Sequence, residues 1–224
     1  MIYHRRVPVV HHPETAPVRS LTDQAYHRIR ELIVQLELAP GEFVNERDLM
    51  ERVGLGRTPV REALLTLARD KLVEVLPRRG VFITPINVLD LTGLSEVRLA
   101  LEPRAARYAA ERSTPAEREA TAALLRALDD GSRDERGLID LDECIHRQVW
   151  SCAHSPFLAR ALEQHYVLAL RIWYLALDRV AQLEDAVHEH RELLEAIHDG
   201  DAARAEAAMG LHVAAFEQAI RSVL

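Results

Sequence analysis

From residue 21 onward the apolar positions recur with helical spacing. Ala25, Ile29, Leu32, Ile33 and Leu36 share one face, with Thr22 placed to cap the segment and Leu21 and Tyr26 placed as a hydrophobic staple. Ala39-Pro40-Gly41 ends it. Asn45 opens a short second helix to Val53, with Asp48 three residues on as in a capping box, and Gly54 breaks it. Thr58-Pro59 opens a third, whose inner face is Val60, Leu64, Leu67 and Ala68. The period then changes. Leu72–Leu76 and Val81–Thr84 are short β-rich runs around the turn Pro77-Arg78-Arg79-Gly80, the pattern of a hairpin. Three short helices and a hairpin predict a winged helix-turn-helix over residues 21–85.

After about Asn87 only helical patterning remains, near 88–110, 115–130, 136–152, 155–178, 183–198 and 201–222. Thr114-Pro115, Gly131-Ser132, Ser155-Pro156, a polar stretch near 179–185 and Asp199-Gly200 separate these segments. Residues 86–224 therefore read as an antiparallel helical bundle. Residues 1–20, with Pro8, Pro13 and Pro17, read as a flexible arm. The chain is expected to be mainly α.

Composition narrows the class. The 224 residues are 48% hydrophobic and 28% charged, which excludes wholesale disorder and fibrous architectures. No apolar run approaches about 18 residues, so no membrane span is expected. Arg5 and Arg6 precede no apolar segment, so no secretory signal is expected either. Cys144 and Cys152 make neither a disulfide framework nor a metal clip, and a reducing, cytoplasmic setting fits. The net charge of −7 argues against nucleic acid until the chain is divided: residues 1–85 carry +2 and residues 86–224 carry −9. That asymmetry points to two domains with separate tasks.

The weakly basic part concentrates arginine where DNA chemistry needs it. Arg57 and Arg61 stand at the start of the third helix, the end that enters the major groove in helix-turn-helix docking. A guanidinium there can fork onto guanine or clamp phosphate. Arg47, early in the second helix, can reach the flanking backbone, and Arg79 with Gly80 forms the wing tip. Leu38-Ala39-Pro40-Gly41, Glu46-Arg47-Asp48-Leu49, the run Gly56 to Leu64 (GRTPVREAL) and Gly80-Val81-Phe82-Ile83 together resemble the GntR superfamily of bacterial transcription regulators. The helical part is similar to the effector domain of its FadR subfamily, called FCD, over about residues 90–220. This resemblance implies operator contacts at Arg47, Arg57, Thr58, Arg61 and Gly80, with Arg79 beside them. It also implies a homodimer on a palindromic operator, as two-fold docking of this motif requires.

The acidic part carries a second constellation. Asp142 and His146 are four apart, so a helix stacks them on one face beside Leu138, Leu141, Ile145 and Val149. His190 lies among Val187, Leu193, Leu194 and Ile197; His212 lies near Met209, Phe216 and Ala219. Each histidine alone fits a hydrogen-bonded core residue. Three on core stripes of three helices, with an aspartate, suit a divalent metal such as zinc or nickel. The resemblance points the same way: a metal-binding subset of FCD domains uses Asp-x3-His and one histidine from each of the last two helices. Arg98 falls within the stripe Leu94, Val97, Leu101, Ala105 and Tyr108, and a buried guanidinium needs an anion. Its partner is either internal, Glu102 at i+4, or a small organic acid effector of the kind FCD regulators sense; Arg171 is a second candidate for that effector.

These readings lead to a repressor whose bundle dimerises it and whose linker near 84–90 transmits effector binding to the recognition helices. A metal-responsive regulator, or one with a purely structural metal, fits the same residues. A metalloenzyme is the remote alternative, because no HExxH, nucleophile elbow or phosphate loop accompanies the histidines.

Overall fold

The computed structural model describes residues 20–130, 132–176 and 187–223. The arm over 1–20, apart from Ser20, and the polar stretch near 179–185 lie outside the described residues. Two compact units emerge. One joins residues 20–88 to Val167–Leu175; the other holds Leu89–Tyr166 and residues 187–223. The division thus falls a few residues beyond the expected boundary at 85, and part of one late helix groups with the N-terminal unit.

Helix α1 (Leu21–Val34) is capped by Ser20, not Thr22. The Ser20 hydroxyl accepts from the Asp23 amide at 3.0 Å, and the Asp23 carboxylate accepts from the Ser20 amide at 3.2 Å, a full capping box. Thr22 lies inside the helix and donates to Glu62 at 2.6 Å. Leu21, 58% exposed, is the first residue inside the helix and not the one before its cap, the position a staple uses. A two-residue strand β1 (Phe43–Val44) precedes α2 (Glu46–Val53), where Asn45 accepts from the Asp48 amide and Gly54 turns out of the helix at φ +65°. In α3 (Arg57–Arg69) the N-cap is Gly56, without a side-chain cap bond. Thr58 therefore sits one residue inside the helix rather than capping it.

Strands β2 (Val73–Leu76) and β3 (Gly80–Ile83) form the expected hairpin, and β1 adds to its far edge in the order β1-β3-β2, all antiparallel. Ile29, Ile33, Leu49, Val60, Leu64, Leu67, Leu72, Val81 and Ile83 fill the core of this unit.

Among its described residues, the second unit is built of helices joined by short connections. It comprises α4 (Leu91–Arg112), α5 (Pro115–Leu128), α6 (Glu135–Cys152), the first half of α7 (Pro156–Ala176), α8 (His190–Asp199) and α9 (Ala202–Val223). A capping box of Thr114 and Glu117 starts α5, and Asp134 caps α6. Helices α4 and α9 make the broadest pairing, with Gly210 opposite the Pro103 ring. The buried face of α4 is rotated from the expected stripe. Leu94, Val97, Leu101 and Tyr108 are half-buried, while Ser95, Arg98, Glu102, Ala105 and Ala109 are buried. A charged pair that neutralises itself takes the core position that hydropathy assigns to leucines. Among the described residues, no helix is long and apolar enough to cross a membrane.

Candidate functional site

Arg57 and Thr58 occupy the first turn of α3, and Arg61 lies one turn on from Arg57; all three are exposed. The free amides and positive dipole end of that first turn favour phosphate. Two carboxylates hold arginines at this surface. Glu46 at the start of α2 accepts from Arg61 Nε at 2.8 Å, and Glu51 accepts from exposed Arg47 at 3.0 Å. The Arg47–Glu51 pair is legible from its i,i+4 spacing. The Glu46–Arg61 pair spans fifteen residues and depends on how α2 meets α3.

Arg79 is exposed in the wing turn. Gly80 has a reason of its own to be glycine: its φ is +99°, and a Cβ there would lie 2.7 Å from the Val44 carbonyl oxygen. The hairpin packs this close to β1 only because residue 80 has no side chain.

In the helical unit, Asp142 and His146 of α6, His190 of α8 and His212 of α9 converge, each at most 4% exposed. Nε2 of His146 lies 3.3 Å from Nε2 of both His190 and His212. Asp142 Oδ1 lies 3.6 Å from His190 Nε2 and 3.9 Å from His146 Nε2. Tetrahedral nitrogen ligation at about 2.0–2.1 Å sets neighbouring ligand atoms about 3.3–3.4 Å apart, close to these spacings. The opposite ring edges face acceptors. His190 Nδ1 meets the Val187 carbonyl at 3.1 Å, His146 Nδ1 meets Glu102 Oε2 at 2.7 Å, and His212 Nδ1 meets Glu189 Oε2 at 3.4 Å. With a proton on each Nδ1, the Nε2 lone pairs would be aimed at one another.

Electrostatics support the same arrangement. Burial pulls His190 down to about 4, and burial with the neighbouring imidazoles holds His212 well below the usual histidine range. Both rings are therefore neutral at pH 7, the form that ligates metal. Burial alone would raise Glu102, but the Arg98 guanidinium and His146 outweigh it and hold the carboxyl at about 2. Tyr166 of α7 donates its hydroxyl to Asp142 Oδ2 and leaves Oδ1 facing the histidines. Asp142 Oδ1, Glu102 Oε2, His146 Nδ1 and His212 Nδ1 are all buried without an aligned hydrogen bond. Of these, Asp142 Oδ1 faces the Nε2 atoms, and a buried carboxylate oxygen left so is costly unless a cation satisfies it. The donor set thus fits a divalent ion.

Arg98 is buried as expected, and its Nε is taken by Glu102, the internal partner. The guanidinium also lies over the rings of Phe216 at 5.1 Å and Tyr166 at 5.5 Å. Arg171 is not brought to this cluster. It groups with the winged-helix unit, where it donates to Thr84 Oγ1 at 3.0 Å and to the Thr84 carbonyl at 2.6 Å. Tyr166 and the role of Glu102 toward His146 escape the sequence, though a tyrosine flanked by Val167, Leu168 and Leu170 signals a buried hydroxyl in need of a partner.

Both halves of the chain match known families. The profile of the bacterial regulatory proteins of the gntR family matches residues 21–83, and that of the FCD domain matches residues 93–215. The chain is 26% identical over 216 residues to the HTH-type transcriptional repressor RspR of Escherichia coli K12, covering 92% of each. It is 30% identical over 196 residues to the "Probable D-xylose utilization operon transcriptional repressor" of Paenarthrobacter nicotinovorans, covering 84% of this chain and 85% of that one. Its fold is similar to that of E. coli McbR/YncC, with a TM-score of 0.79 at 22% identity over 91% of this chain and 98% of that one.

Proposed function

We propose that this chain, which belongs to the GntR family of bacterial regulatory proteins and carries an FCD domain, holds a divalent metal and answers to a small carboxylate effector. It is a transcription regulator and not an enzyme. Arg57, Thr58 and Arg61 on α3, Arg47 on α2 and Arg79 at the wing are its operator contacts in this reading. The family resemblance and the two-fold docking rule support a homodimer on a palindromic site.

The observation that carries the metal reading is the convergence of Asp142 Oδ1 with the Nε2 atoms of His146, His190 and His212 in a buried place. Asp142, His146, His190 and His212 would hold zinc or nickel. When bound, the ion supplies the positive charge that Asp142 and the imidazole lone pairs lack. The chain's own residues do the rest: Tyr166 orients Asp142, and the acceptors at each Nδ1 orient the rings. Among the described residues, the terminal nitrogens of Arg98 have no hydrogen-bond acceptor, which supports them as the edge that meets an effector carboxylate. The full burial of the ligands also favours a second reading, in which the ion only clasps the helices.

The test is metal content by mass spectrometry after growth with zinc or nickel, beside the double variant Asp142→Ala/His190→Ala. Near-stoichiometric metal in wild type and its loss in the variant support the site. Wild type without metal overturns it. Operator affinity measured with and without chelator, then with candidate carboxylates on metal-loaded protein, separates the effector sensor from the structural clasp.

A further inference from the structure

Glu102 sits behind the candidate centre rather than in it. Its side chain is fully buried, and its Oε2 is 2.7 Å from His146 Nδ1, the nitrogen that faces away from the other ligands. Its other oxygen accepts from Arg98 Nε, one helical turn back on α4. Asp142 and His146 come from α6, so α4 contributes no ligand to the quartet yet carries this carboxylate to it. A free imidazole carries its proton on either nitrogen. A carboxylate accepts only, so a neutral ring placed against it has its proton on Nδ1 and its lone pair on Nε2.

We infer that Glu102 is the positioning residue of the metal centre, fixing the His146 tautomer and strengthening that ring as a ligand, and that Arg98, bonded to the other carboxylate oxygen, holds Glu102 in place. The inference rests on the metal reading above and assigns Arg98 a task separate from any effector. Outer partners of metal-bound histidine have sizeable leverage: losing one typically weakens metal binding about 10–100-fold. Glu189, 3.4 Å from His212 and itself 45% exposed, has no comparable hold on its ring.

The test compares zinc affinity, by competition with a chromophoric chelator, in wild type, Glu102→Gln and Glu189→Gln. The glutamine keeps shape but offers His146 a donor or an acceptor, so the tautomer is no longer dictated. Expected is a loss of about 10–100-fold in Glu102→Gln and near-wild-type affinity in Glu189→Gln. Because Glu102→Gln leaves Arg98 buried without a counter-charge, the pair Arg98→Met/Glu102→Gln is measured too; it removes both charges and is expected to show the same loss in a folded protein. Nitrogen-15 spectra of the histidines in metal-free protein supply the second readout, with His146 protonated on Nδ1 in wild type and mixed in the variants. Wild type that binds no zinc overturns the metal reading itself. Wild type that binds zinc while the folded variants bind it equally, with the His146 tautomer unchanged, overturns this inference alone.

Discussion

Arg171 grips both oxygens of Thr84, the residue that follows the last strand of the wing: one terminal nitrogen donates to Oγ1 at 3.0 Å and the other to the backbone carbonyl at 2.6 Å. The guanidinium is 2% exposed, and burial lowers its pKa to about 10, so it stays charged at neutral pH. Among the described residues no carboxylate pairs with it. Hydrogen bonds to neutral oxygens offset part of its desolvation, while its Nε is buried with no partner among the described residues. Arg171→Met is expected to lower unfolding stability by about 2–3 kcal/mol, the range for hydrogen bonds to a charged group together with a stranded carbonyl. Urea unfolding checks this. A change below about 0.5 kcal/mol would mean that these bonds contribute nothing net.

Metal should stabilise the wild type and leave the ligand variant unmoved. At free zinc about 100-fold above its dissociation constant, the gain is expected to be about 2.7 kcal/mol. Thermal unfolding of wild type and Asp142→Ala/His190→Ala, each with chelator and with zinc, reads the difference. Equal shifts in both proteins would place the binding elsewhere.

In chelator-treated protein, acid stability follows the buried histidines. The folded pKa of His190 is about 4 against about 6.5 unfolded, and His212 is shifted the same way. Between those values the unfolded chain binds more protons than the folded one, so stability falls as pH falls from about 6.5 toward 4. The slope is up to about 1.4 kcal/mol per pH unit for each ring. Glu102 acts in a lower window, its contribution disappearing from about 4.5 down to 2. Denaturant midpoints across this pH range, compared with His190→Gln/His212→Gln, test the assignment. An unchanged upper limb in the variant would refute it.

On DNA, Arg57→Ala and Arg61→Ala should each weaken specific binding by about 1–3 kcal/mol if the side chain forks onto guanine. A contact to phosphate instead weakens all sequences alike and lowers the salt slope by about one. Affinities for sites selected from a random pool, measured at several salt concentrations, distinguish these outcomes. Unaltered binding in both variants would remove α3 from the interface.

Gly80→Ala should fail by folding before it fails by recognition. The left-handed φ and the 2.7 Å approach to the Val44 carbonyl leave an added methyl nowhere to go. A loss of more than about 1 kcal/mol in stability is expected, read by unfolding without DNA. A variant of wild-type stability that bound DNA poorly would make Gly80 a contact residue only.

Much of this was legible in residue spacing. Asn45 and Gly54 bound α2 as expected because caps act locally. The four candidate ligands were found because each polar group interrupts an apolar stripe, and three stripes in a bundle face one centre. Local spacing failed where partners come from afar. Strand β1 is two residues long and exists only because Gly80 lets β3 approach it. The buried face of α4 is rotated from the leucine stripe because Arg98 and Glu102, a pair the i,i+4 spacing already offers, neutralise each other in the core. Tyr166 joins Asp142 across 24 residues, a pairing that no periodicity encodes.

The depth of the histidine cluster also sets a tempo. With every candidate ligand at most 4% exposed, an ion seated there meets water only when helices α6, α8 and α9 part. Its entry and departure would then run at the rate of that local opening, anywhere from microseconds to seconds or slower, rather than at the rate of ligand exchange around a free ion. A site of that kind would couple metal exchange to the local stability of the bundle, so a substitution that loosens α6, α8 or α9 would speed exchange without touching a ligand.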